Sequence, residues 1–70
     1  MTITLTEPTT FKYGQIITHI KTSDKYVILE TPNPYARIEA TWETYYTYRG
    51  ITSGIKCIRS KVLMEDGRFE

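Results

Sequence analysis

The chain holds one histidine, His19, and one cysteine, Cys57. Such a pair could act as thiolate and imidazole, the ring taking the thiol proton and leaving a nucleophilic sulfur. That chemistry needs both groups on facing strands, pointing the same way, with a third group to orient the imidazole. No third group is evident, and a chain of 70 residues filled by its own side chains leaves little cavity for a substrate. The residues are therefore expected to be structural, His19 at the rim of a sheet and Cys57 as a small buried hydrophobe. Glu39 and Glu43 share the polar parity of one alternating segment and could form a carboxylate pair. An open, solvated face is the simpler reading. Glu65, Asp66 and Glu70 carry charge that could meet a cation, yet their spacing matches no calcium loop. One cysteine and one histidine cannot assemble a structural zinc site or an internal disulfide. Gly50 and Gly54 are not followed by the Lys-Ser/Thr step or the helix of a phosphate-binding loop. The expectation is a protein that is not an enzyme and has no metal and no cofactor.

Two groups of residues fit binding better. From Thr44 to Met64 there is no acid, whereas Arg49, Lys56, Arg59 and Lys61 occur with Tyr45, Tyr46 and Tyr48 nearby. Cations interleaved with aromatics are what a single-strand nucleic-acid groove uses, one set for phosphates and the other for base stacking. Tyr45, Arg49, Lys56, Arg59 and Lys61 are the candidates for that chemistry. The overall formal charge is only +1, which argues against a basic arm. The second group is Tyr35, Trp42 and Tyr45, of the residue types enriched at protein-binding hot spots. Aromatics make up 13% of the chain, more than a core this small can hide. Tyr35 sits beside Pro32-Asn33-Pro34, and Trp42 and Tyr45 flank the turn between two expected strands. Protein partners rank first, RNA or DNA second, and a homo-oligomer is a further way to complete so small a core.

The elements that must position these groups read as strands. Thr, Ile, Val, Tyr, Phe and Trp supply 32 of the 70 residues, and alanine occurs only at positions 36 and 40. Branched and aromatic side chains fit a pleated surface and lose rotamer freedom in a helix. Turn residues recur at strand-like intervals: Gly14, Thr22-Ser23-Asp24, Pro32-Asn33-Pro34, Gly50 to Gly54, Asp66-Gly67. The expected strands are Gln15 to Lys21, Lys25 to Thr31, Tyr35 to Trp42, Thr44 to Gly50 and Ile55 to Arg59. Ser23-Asp24 joins the first two as a hairpin, and the third carries the cleanest period-two pattern, Ala36, Ile38, Ala40 and Trp42 against Arg37, Glu39, Thr41 and Glu43. Lys61 to Met64 reads as one helical or 3₁₀ turn. Residues 1–11 form an irregular lead-in or edge segment, and residues 12–70 a single domain. Five short strands in this length are best accommodated by a bent antiparallel sheet closing on itself, an all-β, SH3-like barrel. Its expected core is Ile16, Ile20, Val27, Leu29, Ile38, Ala40, Tyr46, Tyr48, Ile58 and Leu63. The run Tyr26-Val27-Ile28-Leu29 leaves both facings of its strand open.

The order of these features resembles a group of small uncharacterised bacterial and tailed-phage proteins with an SH3-like β fold. The likeness runs from Gly14, His19 and Lys21 through Tyr26-Val27-Ile28-Leu29, Tyr48-Arg49 and Ile58-Arg59 to Asp66-Gly67-Arg68-Phe69-Glu70, covering residues 13–70. Two positions depart from the pattern: Lys56 or Cys57 stands where a tryptophan is usual, and Ser60 where a proline is. The resemblance implies a phage or bacterial source and, by analogy, a protein that modulates a host or defence enzyme. It brings no activity with it. The N-terminus lacks the basic start and apolar run of a signal peptide, and no stretch approaches the ~18 residues of a membrane span, so a cytoplasmic protein without a membrane partner is expected. Asn33, the only asparagine, precedes Pro34 and is no glycosylation acceptor.

Overall fold

A computed structural model describes residues 9–70 of the chain; residues 1–8 of the expected lead-in lie outside the described residues. Four antiparallel strands run in the order of the sequence: β1 (Ile16–Thr18), β2 (Lys25–Glu30), β3 (Tyr45–Gly50) and β4 (Lys56–Ser60), followed by the single-turn helix α1 (Lys61–Met64). Ser60 ends β4 and caps α1, its hydroxyl accepting from the Leu63 amide at 3.4 Å. No helix among the described residues is long and apolar enough to cross a membrane.

The register decides which side chains face inward. Ile17 lies opposite Tyr26, Ile28 opposite Tyr48, Tyr48 opposite Cys57 and Tyr46 opposite Arg59. These residues share one face, on which Ile17, Ile28, Tyr46 and Tyr48 are buried together with Phe11, Met64 and Phe69. The other face carries Ile16, Val27, Thr47, Arg49, Lys56 and Ile58. Of the expected core, only Tyr46 and Tyr48 are buried. Ile16, Ile20, Ala40, Ile58 and Leu63 are exposed, and Val27, Leu29 and Ile38 are half-buried. The inversion has one cause. Ile16-Ile17 and the run from Tyr26 to Leu29 satisfy period two on either parity, and the large Tyr46 and Tyr48 rings, facing inward on the central β3, select Ile28 and then Ile17 through the pairing. Cys57 is correspondingly half-buried, packed on the cluster's margin rather than within it.

The expected strand from Tyr35 to Trp42 does not form. Asn33 takes the Tyr35 amide on its side chain at 2.8 Å and the Ala36 amide on its carbonyl at 3.1 Å, the hydrogen bonds of a turn rather than a ladder. Further on, the Trp42 amide donates to the Ile38 carbonyl at 2.6 Å and Ile38 donates to the Glu43 carbonyl at 2.8 Å, so the chain doubles back on itself. Alternation in sequence cannot make a strand where the backbone groups are already satisfied locally. β1 is also shorter than expected: the His19 amide pairs with the Asp24 carbonyl at 2.8 Å, and residues 20–23 form the turn, with Ser23 in the left-handed region at φ 63°.

Both ends of the described residues are tied to the sheet. The Thr18 amide donates to the Glu70 carbonyl at 2.9 Å, the Glu70 amide returns the bond at 3.0 Å, and Ile20 donates to the Arg68 carbonyl at 2.9 Å. This brings Phe69 against Tyr26, Tyr48 and His19 with ring centroids 5.1 to 6.0 Å apart, all edge-on. At the other end, the Tyr46 hydroxyl donates to Glu65 and accepts from the Phe11 amide at 3.3 Å, while Glu65 also accepts from the Thr10 amide at 3.0 Å and from Lys61 at 3.1 Å. Burial raises the Tyr46 pKa to about 12, aided by the hydrogen bond to Glu65. Burial alone would raise Glu65, but donors from Tyr46, Thr10 and Lys61 outweigh it and hold the carboxyl below its usual range.

The signs follow from linkage. Tyr46 contributes stability that is complete below its unfolded value of about 10 and lost as pH rises toward about 12. Glu65 contributes stability present above its unfolded value and lost as pH falls through its lowered folded value. Urea midpoints measured across pH should therefore form a plateau with a drop on each side, and Tyr46→Phe should flatten the alkaline drop. Phe69→Ala should remove about 3–5 kcal/mol. A core of this size rarely supplies more than that, so the variant should lose its cooperative unfolding transition by circular dichroism.

Candidate protein-binding site

Tyr35, Trp42 and Tyr45 line one cleft, of about 360 Å³, together with Pro34, Ala36 and Arg37. Sequence reasoning chose the three aromatics by residue type; the connection between β2 and β3 brings them together. Its turns replace a strand and curl the segment back toward the start of β3, where Tyr45 points to the outer face opposite Ser60. Tyr35 is 78% exposed and Trp42 68% exposed, so neither ring is spent on the core. Tyr45 is half-buried and forms the floor that the sheet supplies.

Arg37 holds the cleft's two walls. Its Nε donates to the Pro34 carbonyl at 3.2 Å and a terminal nitrogen donates to the Trp42 carbonyl at 3.0 Å. A planar guanidinium can join two carbonyls in fixed geometry, which an ammonium cannot do as well. The sequence offered Arg37 only as a polar position of an expected strand; the turn residues Pro34 and Asn33 just before it were the signal that the backbone there would need a side-chain donor.

Trp42 adopts φ 60°. For a bulky side chain this left-handed backbone is an outlier and costs about 1–3 kcal/mol. The bonds from Trp42 to Ile38 and Arg37 hold it there and turn the indole outward. Strain of this kind persists only where the surrounding structure over-determines the backbone.

The basic candidates do not form one patch. Arg49 and Lys56 lie directly opposite each other on the outer face, which Tyr45 shares. Arg59 faces the other way, its guanidinium 5.8 Å from the centre of the Phe69 ring, and Lys61 is paired with Glu65. The ion pairs among the described residues are Lys61 with Glu65 and Arg68 with Asp66, so Arg49 and Lys56 have no carboxylate against them there. His19 meets the Thr22 hydroxyl at 3.1 Å and lies edge-on to Phe69. Glu39 is exposed and Glu43 half-buried. Among the described residues no three histidine, cysteine or carboxylate side chains are grouped as a metal site.

Comparison with models of known protein families, with curated protein sequences and with solved structures gives no match in any of the three.

Glycine adopts a left-handed backbone without strain, against which stands its greater freedom in the unfolded chain. Trp42→Gly should therefore leave stability unchanged or raise it by up to about 1 kcal/mol. Thermal unfolding of this variant beside the parent checks that the indole is not needed by the fold.

Proposed function

We propose that the chain is a small, non-enzymatic SH3-like binding protein that works through protein–protein contact, with Tyr35, Trp42 and Tyr45 as its anchors and Arg37 as the residue that positions them. The observation that carries this reading is the meeting of three aromatics in one cleft, two of them largely exposed and one on strained backbone. Large, stiff aromatic side chains give much contact area for little ordering cost, and a cleft whose walls are already fixed lowers that cost further. The SH3-like assignment draws support from the path of the chain after β4: α1 and Asp66-Gly67 carry it to the far edge, where Arg68 and Glu70 bond to β1. On this reading the C-terminal segment, which meets His19 through an isolated bridge at Phe69, is a fifth strand that bends the open four-stranded sheet toward a barrel. A phage or bacterial source, a host or defence enzyme as the partner, and the host cytoplasm as the location belong to the same proposal and rest on the sequence resemblance.

A second reading has one specific observation behind it. Like charges placed opposite each other on neighbouring strands are unfavourable, and Arg49 faces Lys56 without a described carboxylate at hand. A phosphate backbone would relieve that repulsion, with Tyr45 on the same face for stacking.

Affinity capture from bacterial lysate in high salt, run in parallel with parent and Trp42→Gly protein, separates the two. The protein reading expects one dominant partner on the parent that is lost on the variant, a weakening of about thirtyfold or more. Equal capture by both proteins overturns the cleft. The nucleic-acid reading expects oligonucleotide binding at low salt, with the salt slope falling by about one unit for each of Arg49→Ala and Lys56→Ala.

A further inference from the structure

The two edges of the sheet are treated differently. On β1 the outward main-chain groups of Thr18 are taken by Glu70, and just beyond the strand the Ile20 amide donates to the Arg68 carbonyl. On β4 the pattern is fixed at both ends: the Gly50 amide donates to the Ile55 carbonyl at 3.0 Å and the Lys61 amide to the Thr44 carbonyl at 2.9 Å. With the register between β3 and β4, this alternation points the main chain of Cys57 and Arg59 toward β3 and that of Lys56 and Ile58 away from the sheet. None of the described residues bonds to these outward groups of Lys56 and Ile58. Apolar side chains lie beside them: Ile58 is 61% exposed, Ile55 and Val62 are exposed, and a groove of about 480 Å³ along this edge joins Ile38, Ile58 and Leu63 to the charged Glu43, Arg59 and Arg68. A strand edge that is unpaired and apolar is a template for another strand.

We propose that the occupant is a second copy of this chain, paired antiparallel through β4 about a two-fold axis at Ile58. The charges favour this partner and this register over its neighbours centred on Lys56 and Ser60. Centred on Ile58, the pairing sets Lys56 opposite Ser60 of the second copy and Arg59 opposite its Cys57, so no cation lies directly opposite a cation. It also brings Lys56 beside Glu43 of the second copy, because Glu43 shares a groove with Ser60; neither has an ion-pair partner among the described residues of its own chain. Centring on Lys56 would put two ammonium groups face to face, and centring on Ser60 would set Arg59 against Lys61. A two-fold axis makes each favourable contact twice. The axis stands perpendicular to the sheet, so both copies present their outer face, with Tyr45, Arg49 and the aromatic cleft, on the same side of one continuous eight-stranded sheet. This arrangement does not depend on what the cleft binds.

Sedimentation of the full chain over a range of concentrations tests it. A reversible dimer is expected. Ile58→Pro removes an outward amide that the parent sheet does not use, which an edge strand tolerates, and it should give a monomer with an unchanged β-type dichroism spectrum. Should that variant lose the spectrum, Ile58→Lys, at an exposed side chain, takes its place with the same expected result. Lys56→Glu should weaken the dimer by about tenfold, through two lost pairs and a new repulsion, and adding Glu43→Lys should recover it. With Cys57→Ser in the background, Ile58→Cys should form a covalent dimer on mild oxidation, since such paired residues lie about 5.5 Å apart between Cα atoms, while Ile55→Cys should not. A parent protein that stays monomeric up to about millimolar concentration, far above the Kd range of specific pairs, overturns the proposal. So does a dimer that persists in a folded Ile58→Pro or Ile58→Lys variant.

Discussion

The ring of Phe69 is the contact on which the rest of the structure depends. A four-stranded sheet with one apolar face has to cover that face, and α1, with Met64 its only buried residue, covers little of it. Phe69 supplies a cover at the other end by lying edge-on to Tyr26 and Tyr48, with His19 at its side and the Arg59 guanidinium over its face. Its place is fixed by main-chain bonds rather than by packing alone, since Thr18 and Glu70 exchange both of theirs. The same contact explains why Arg59 is not spread on the solvent face with Arg49. A cation over an aromatic ring at a sheet margin keeps its charge near water while its stem covers apolar surface.

The N-terminal side is closed by different chemistry. Phe11 packs edge-on to Tyr46, and the Tyr46 hydroxyl and Glu65 satisfy the amides of Phe11 and Thr10. A fully buried tyrosine needs a partner for its hydroxyl, and a carboxylate left buried without donors would be costly. The network meets both needs at once, and no buried side-chain polar atom among the described residues is without a partner. Gly14, at φ 78°, lets the chain turn from Phe11 into β1 by donating to the Ile28 carbonyl at 2.8 Å.

Strand identity was readable in the sequence wherever composition and turn residues agreed. β2, β3, β4 and α1 fall close to where branched residues and glycines place them. The inward parity was not readable, because Ile16-Ile17 and Tyr26 to Leu29 are apolar on both sides, and only cross-strand pairing to Tyr46 and Tyr48 resolves it. The alternation from Tyr35 to Trp42 misled for the opposite reason: it was clean in side chains while Pro32, Asn33, Pro34 and Arg37 were diverting the backbone. Phe11, Met64 and Phe69, three of the seven residues of the buried core cluster among the described residues, lie outside every strand and so outside any periodic signal. The aromatic cleft was legible as a set of residue types, and Arg37, which shapes it, was not.

The bonds that tie Thr10 to Glu65 and Thr18 to Glu70 join residues more than fifty positions apart, while β2, β3 and β4 pair in the order of the sequence across far shorter connections. Closing long loops carries an entropic cost before any contact rewards it. The central meander is thus the part that can organise first, and docking of Phe11 and Phe69 is expected to follow it. During that interval Tyr26, Tyr46 and Tyr48 face solvent together, and the chain spends its most aggregation-prone moments with its most aromatic surface uncovered.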